Sequence, residues 1–157
     1  MKFGKTLNKV KDGCNPEWGP YWLSYKLLKS MIKVLPCYTS KIDGGESLDL
    51  RRACSRRMRL ILSKDKLETE FFSLLKKELA KTEDFYQAEI RCLILRYNRL
   101  QYTLKILSKD EDSQTDFRLA LSACVQLYKE SVELQTYAVT QYCGFGKILK
   151  KHDKNTE

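Results

Sequence analysis

The chain has 157 residues, of which 43% are hydrophobic and 31% charged; this excludes a disordered polyelectrolyte and leaves room for one domain with a buried core. Its 29 Lys and Arg residues outnumber 20 Asp and Glu residues, for a net charge of +9, so an anionic partner is expected: nucleic acid, acidic lipid or a phosphorylated small molecule. No apolar run approaches the ~18 residues that a membrane span needs, the opening MKFGKTLNKV has no apolar signal-peptide core, and Lys2 stands where myristoylation requires glycine.

Six cysteines stand at 14, 37, 54, 92, 124 and 143, with no CxxC pair, and His152 is the only histidine. A zinc site is therefore not expected. Thiols scattered through apolar helical positions are expected to act as small buried hydrophobes in a reducing compartment.

In chain order, Phe3, Leu7 and Val10 fall on one stripe of a first helix over about residues 2–10, with Lys2, Lys5 and Lys9 outside it. Asn15-Pro16-Glu17-Trp18-Gly19-Pro20 reads as a turn, with Pro20 suited to the first position of a second helix over about 21–35. Leu23, Leu27, Leu28, Met31 and Leu35 are expected to face the core, and Pro36 stops the helix. Residues 1–36 thus form a helical hairpin. Residues 37–62 form a variable connection that includes a basic stretch, Arg51 to Arg59, expected to be helical at least in part.

Ser63 and Asp65 offer start signals for a long helix. Along it Phe72, Leu75, Leu79, Thr82, Tyr86, Ile90, Leu93, Tyr97, Leu100, Leu104 and Leu107 recur at steps of three and four. An acidic turn at Asp110-Glu111-Asp112-Ser113 precedes a second long helix with Phe117, Leu121, Cys124, Tyr128, Val132, Gln135, Ala138 and Tyr142 on its stripe. The short connection makes the two helices of 63–143 antiparallel. Gly144 suits a helix C-cap, so residues 144–157 are predicted as a separate short basic helix and tail. The fold class is all-α: a hairpin on two long antiparallel helices, like a three-helix bundle, plus a short C-terminal helix.

Chemistry concentrates on two faces. In the last segment Lys147, Lys150, Lys151 and Lys154 fall within an arc of about 100°, with Phe145, Ile148, Leu149 and His152 on the other side. A solvated face near a helix C-terminus accounts for Lys151 and Lys154 but not for Lys147 in the first predicted turn. In the second helix Tyr25, Lys26, Lys29 and Lys33 oppose the leucine stripe, and Tyr25 and Lys29 can converge on one anion. Two unmixed basic faces in one small domain point to a polyanion site, concave if the hairpin packs on the last helix. Direct nucleic-acid binding is not expected, because neither interleaved aromatics nor a recognition helix is present. No Gly-rich phosphate loop, nucleophile elbow or paired-carboxylate motif suggests an enzyme.

At these residues the sequence resembles the SPX domain, a module that reports phosphate status in eukaryotic cells. The resemblance rests on Met1-Lys2-Phe3-Gly4-Lys5, Pro16-Glu17-Trp18, Tyr25-Lys26 with Lys29, and Phe71-Phe72 with Leu75, Glu78, Leu79 and Lys81. It continues through Phe85-Tyr86 and Tyr137 to Gly144-Phe145 followed by Lys147-Ile148-Leu149-Lys150-Lys151-His152-Asp153-Lys154. Gly19-Pro20 and Gln141 depart from the family pattern.

The resemblance implies a site for inositol pyrophosphates or inositol hexakisphosphate made by Tyr25, Lys29, Lys147, Lys150, Lys151 and Lys154, with Lys2 as a further contact, and no metal or cofactor. It further implies a sensor that signals to a protein partner. That partner is a transcription factor, or an attached effector domain of a transporter, a polyphosphate polymerase or a phosphodiesterase. The expected location is the cytoplasm or nucleus, or the cytosolic face of a membrane. The alternative is a basic interaction module for acidic lipid or nucleic acid.

Overall fold

The computed structural model describes residues 3–34, 50–108 and 114–156, except the side chains of residues 34 and 50–64. Among the described residues the elements are all helical: α1 (Phe3–Asp12), a 3-10 helix (Pro16–Tyr21), α2 (Tyr25–Val34), α3 (Leu50–Leu107) and α4 (Gln114–Thr156). The expected Lys2 contact, Leu35, the 37–47 connection, Cys37, the side chains of Cys54 and of Arg51 to Arg59, and the acidic turn at 110–113 lie outside the described residues. Cross-helix pairs run Phe71 with His152, Phe85 with Tyr137 and Arg96 with Glu130, so α3 and α4 are antiparallel as expected.

Two predicted boundaries do not occur. The α3 helix begins at Leu50 and passes through Ser63 and Asp65 without a break. Ser and Asp cost only a few tenths of a kcal/mol in a helix interior, and no Gly or Pro interrupts the chain there to force an end. Likewise α4 is one helix of 43 residues that runs through Gly144 and Gly146. The basic helix expected from residue 144 onward is therefore not separate but the end of α4, which runs to Thr156.

Gly144 is present for contact rather than for capping. A Cβ built on it would lie 2.7 Å from Leu23 Cδ2 and 3.5 Å from the Phe3 ring. Both α1 and the segment leading into α2 press on the bare helix backbone at this point. A second feature is the 3-10 helix, where Asn15 Oδ1 accepts the Glu17 N–H at 3.0 Å and Pro20 lies inside rather than opening α2. The α2 helix starts five residues later, at Tyr25, after Trp22 leaves the 3-10 helix in an extended conformation.

The core fills the end of the α3–α4 rod that the hairpin covers. Leu7, Trp18, Trp22, Phe85, Leu134 and Tyr137 form one buried cluster, and Leu23, Leu28, Ile32, Phe71 and Ile148 form another. Buried on α3 are Phe71, Glu78, Thr82 and Phe85, and on α4 Ala120, Leu134, Tyr137, Gln141, Gly144, Ile148 and His152. The predicted stripes hold in part: Thr82 is buried, and Leu75, Tyr86, Ile90 and Leu93 pack against the core. Leu79, Tyr97, Phe117, Leu121, Tyr128, Val132 and Tyr142 are exposed. Each long helix carries more apolar surface than its neighbours cover, and contact with the hairpin selects the part that is buried. On α2, Leu27 is also exposed and Ile32 takes the fully buried place. Of the described thiols, Cys14 and Cys124 are half-buried but Cys92 and Cys143 are exposed, so they are not all core residues as expected.

Two glycine replacements separate helix propensity from packing. Nothing lies within 4 Å of a Cβ at Gly146, so Gly146→Ala is expected to raise stability by about 0.5–1 kcal/mol. Gly144→Ala gains the same propensity but overpacks the buried Leu23, at a cost of about 1–3 kcal/mol, and is expected to be net destabilising. Urea melts of both variants compare them; equal stabilisation would remove the close-approach role from Gly144.

Candidate anion-binding site

The site depends on how the hairpin bends. Between the 3-10 helix and α2 the carbonyls of Tyr21 and Trp22 and the N–H groups of Leu23 and Ser24 turn to partners outside the hairpin's helices, and Trp22 and Leu23 are buried. Buried peptide groups need partners, and side chains of α3 and α4 supply them. Tyr137 Oη donates to the Tyr21 carbonyl at 2.9 Å, and Lys81 Nζ donates to the Trp22 carbonyl at 3.0 Å. The Leu23 N–H donates to Gln141 Oε1 at 3.1 Å, and the Ser24 N–H donates to Glu78 Oε2 at 2.8 Å. Ser24 also caps α2: its carbonyl accepts the Leu28 N–H at 3.1 Å while its hydroxyl donates to Glu78 Oε1 at 3.1 Å.

Glu78 is paired with Lys81 at 2.7 Å. Burial pushes its carboxyl up, but the hydrogen bonds from Lys81 and Ser24 and the Lys81 charge outweigh burial and hold it below its ordinary value. Tyr137 is pushed well up by burial and so remains a donor. Its ring lies edge-on to Trp18, Trp22 and Phe85, with centroids 5.0–5.9 Å away.

This anchored bend aims α2. Tyr25 and Lys29 line a groove of about 800 Å³ between α1 and α2, together with Lys5, Asn8, Lys11 and Lys26. The Tyr25 ring packs on Phe3 at 5.0 Å. Burial pushes its phenol up, leaving a protonated hydroxyl that can donate. Lys147 Nζ sits over the same Phe3 ring, 5.5 Å from its centroid, a cation–π distance. Phe3 thus joins Tyr25 of α2 to the first of the α4 lysines.

The other α4 lysines follow from helix geometry. With Ile148 at zero and about 100° per residue, Lys151, Lys147, Lys154 and Lys150 lie at about −60°, −100°, −120° and −160°. Gly144, which meets Phe3 and Leu23 of the hairpin, lies at about −40°, whereas His152, stacked on Phe71 of α3, lies at about +40°. The lysine arc therefore opens on the hairpin side. Lys151 is half-buried, while Lys147, Lys150 and Lys154 are exposed. Lys33 is exposed at the far end of α2.

Two residues differ from the expected helix face. Ile148 is completely buried, but Leu149, expected beside it in the core, is 40% exposed. His152 is packed: its ring stacks on Phe71 at 4.8 Å, and its Nε2 is buried, 3.8 Å from Glu68 Oε1. It fixes the roll of the last α4 turns on α3, which sets where the lysines point. Lys5 and Lys11 share the Tyr25 groove although sequence reasoning left them outside the site. Their signal was the polar side of α1, which spacing alone could not direct toward α2.

Comparison with known proteins fixes the family. SPX domain-containing protein 1 of Arabidopsis thaliana is 31% identical over 156 residues, covering 99% of this chain and 57% of that protein. SPX domain-containing protein 2 of the same plant is 31% identical over 157 residues, covering 99% and 53%. The SPX domain of Chaetomium thermophilum glycerophosphodiester phosphodiesterase 1, solved with inositol hexakisphosphate, superposes with a TM-score of 0.69 at 26% identity. That match covers 99% of this chain and 76% of the other. The chain belongs to the SPX-domain family. No family model matches it. This SPX domain spans about half the length of the curated relatives it matches. Among its described residues, no helix is long and apolar enough to cross a membrane. Gln141, one of the departures from the family pattern, is the side chain that accepts the Leu23 N–H.

Because the folded carboxyl of Glu78 lies below its ordinary value of 4.5, its contribution to stability is full at neutral pH. It is lost as pH falls below that value through the folded pKa. Glu78→Gln is expected to lower stability at pH 7 by about 1–3 kcal/mol, the scale of hydrogen bonds to a charged group. The gap from wild type should narrow at pH 3. A pH-independent gap in urea melts would mean that Glu78 acts through shape alone.

Proposed function

We propose that this SPX domain is a phosphate-status sensor that binds an inositol pyrophosphate or inositol hexakisphosphate across the joint between the hairpin and α4. The observation that carries the reading is the Lys147–Phe3–Tyr25 contact, which sets the α4 lysine arc beside the groove holding Tyr25 and Lys29. Tyr25 donates a hydroxyl, and Lys29, Lys147, Lys150, Lys151 and Lys154 supply charge-assisted hydrogen bonds to separate phosphates. Lys2 precedes α1 by one residue and is a further candidate contact. The bound inositol hexakisphosphate of the fungal SPX neighbour supports this ligand class.

A compact, densely charged ring suits the arrangement because the cations lie on two elements that meet at one point. Binding neutralises their mutual repulsion and ties α1 and α2 to α4. The liganded surface is then available to a transcription factor or to an attached effector domain of a transporter, polyphosphate polymerase or phosphodiesterase. The site needs no metal and performs no bond-making step.

Calorimetry with inositol hexakisphosphate tests the proposal. Micromolar or tighter binding is expected, much weaker for orthophosphate, and falling steeply with salt because exposed charges are screened over about 10 Å at 0.1 M. Tyr25→Phe, Lys29→Ala and Lys151→Ala should each weaken binding by about 1–3 kcal/mol without loss of folding stability. Ile148→Ala should instead cost about 2–5 kcal/mol of stability. Equal affinity for orthophosphate, or effective competition by an anionic vesicle or an oligonucleotide, would replace this reading with a general basic surface.

A further inference from the structure

The groove between α1 and α2 reaches past Tyr25, away from the α4 lysines. With Gly4 at zero on α1 and about 100° per residue, Lys11 and Asn8 lie at about −20° and +40° and Lys5 at about +100°; all three line the groove. Gly4 is the point of approach to α2, since a Cβ built there would lie 3.8 Å from the Tyr25 ring. From Gly4 to Lys11 the helix runs about 10 Å, or two turns, at ~1.5 Å per residue. That length leads away from the lysine arc of α4. Phe3, at the start of α1, meets Gly144 and Lys147, whereas Val10 and Cys14, toward and beyond its end, pack on the cluster that holds Leu134 and Tyr137. Tyr25 therefore stands between two sets of cations.

No carboxylate lines this groove. Lys5 and Lys26 are exposed and Lys11 and Lys29 half-buried, and none of the four pairs with an acid among the described residues. Lys9 and Lys11 both stand in the last turn of α1, where a cation offsets the negative end of the helix dipole. That role accounts for either lysine, but not for the lining. Lys9 falls at about +140° on α1, nearly opposite Lys11, and does not line the groove. The α1 wall thus holds two ammonium groups and an amide that the site built on Tyr25, Lys29 and α4 does not use.

We propose that Lys5, Asn8 and Lys11 form a specificity subsite that receives the outer phosphoryl group of a diphosphate, so that the domain separates inositol pyrophosphates from inositol hexakisphosphate; this rests on the ligand class proposed above. Inositol hexakisphosphate carries one phosphate on each ring carbon, and a diphosphate lengthens one of those arms by a phosphoryl group. With the ring held between the α4 lysines and the Tyr25–Lys29 pair, an arm extended past Tyr25 enters the α1 side of the groove. Its added charge there meets ammonium groups with no competing acid, and charge-assisted hydrogen bonds to an oxyanion are the stronger class. Asn8, one turn beyond Gly4, adds a neutral donor close to the Tyr25 contact. A ligand with single phosphates leaves this end of the groove unfilled, so the difference in affinity between the two ligands arises on α1.

Calorimetry on the whole chain compares inositol hexakisphosphate with diphosphoinositol pentakisphosphate. The wild type is expected to bind the diphosphate at least tenfold more tightly. Lys11→Ala should lower that ratio at least threefold, Asn8→Ala at least twofold, and Lys5→Ala combined with Lys11→Ala should bring the two affinities within twofold of each other. Lys29→Ala should weaken both ligands and leave their ratio within twofold of wild type. Lys9→Ala removes the same charge from the same turn but outside the groove, and should leave both affinities within twofold. Circular dichroism melts establish that each variant is folded. Wild-type affinities within twofold of each other would overturn the subsite. So would a ratio that Lys9→Ala lowers as far as Lys11→Ala does, or a Lys5→Ala, Lys11→Ala variant that weakens both ligands alike. Failure of the wild type to bind either ligand would overturn the anion site itself, and this subsite with it.

Discussion

Four backbone groups between Tyr21 and Ser24, two carbonyls and two N–H groups, are taken out of helical hydrogen bonding and set against α3 and α4. In that position each would cost the desolvation of an unpaired polar group unless a side chain answered it. Tyr137, Lys81, Gln141 and Glu78 answer in turn. These contacts seat Trp22 and Leu23 in the core and fix where α2 begins. They also fix which way Tyr25 and Lys29 face. The hairpin is therefore attached to the rod by polar specificity as well as by apolar burial. That explains why a glutamate and a glutamine occupy core positions of otherwise amphipathic helices.

The same attachment produces the joint at which cations gather. Gly144 removes a side chain so that Phe3 and Leu23 can reach the α4 backbone, and the lysine arc begins at that contact. His152, stacked on Phe71, holds the opposite edge of α4 against α3. Packing on two sides leaves the last turns of α4 little freedom to roll. A cluster of like charges on rigid elements is held open to solvent with its repulsion unrelieved, a favourable starting state for a compact polyanion.

At the other end of the rod the hairpin is missing, and the consequences are visible in what the helices expose. Near the hairpin, three layers bury Phe71, Phe85, Tyr137 and Ile148. Farther along, only α3 and α4 face one another, and two helices cannot cover faces as wide as theirs. Ile94, Tyr97, Leu121 and Tyr128 remain in solvent. One short fold thus carries two surfaces of opposite character, basic at the joint and apolar along the free rod.

The sequence by itself determined the helical class, the hairpin, the antiparallel pair and the identity of the basic faces. Those follow from local periodicity, proline and glycine placement and charge sign, which are properties of neighbouring residues. It also carried the family resemblance through short motifs such as Tyr25-Lys26 with Lys29 and the Lys147–Lys154 run. Only the tertiary structure decided which part of the apolar surface of α3 and α4 is buried, since all of it has helical spacing and only contact with the hairpin distinguishes the covered part. It decided that Gly144 is a contact point rather than a cap, because a glycine in sequence looks the same in either role. It likewise decided that Glu78 and Gln141 serve the buried bend, and that Ile148 rather than Leu149 is the core residue. Each of these depends on a neighbour at least fifty residues away in the chain, and local pattern holds no information about such neighbours.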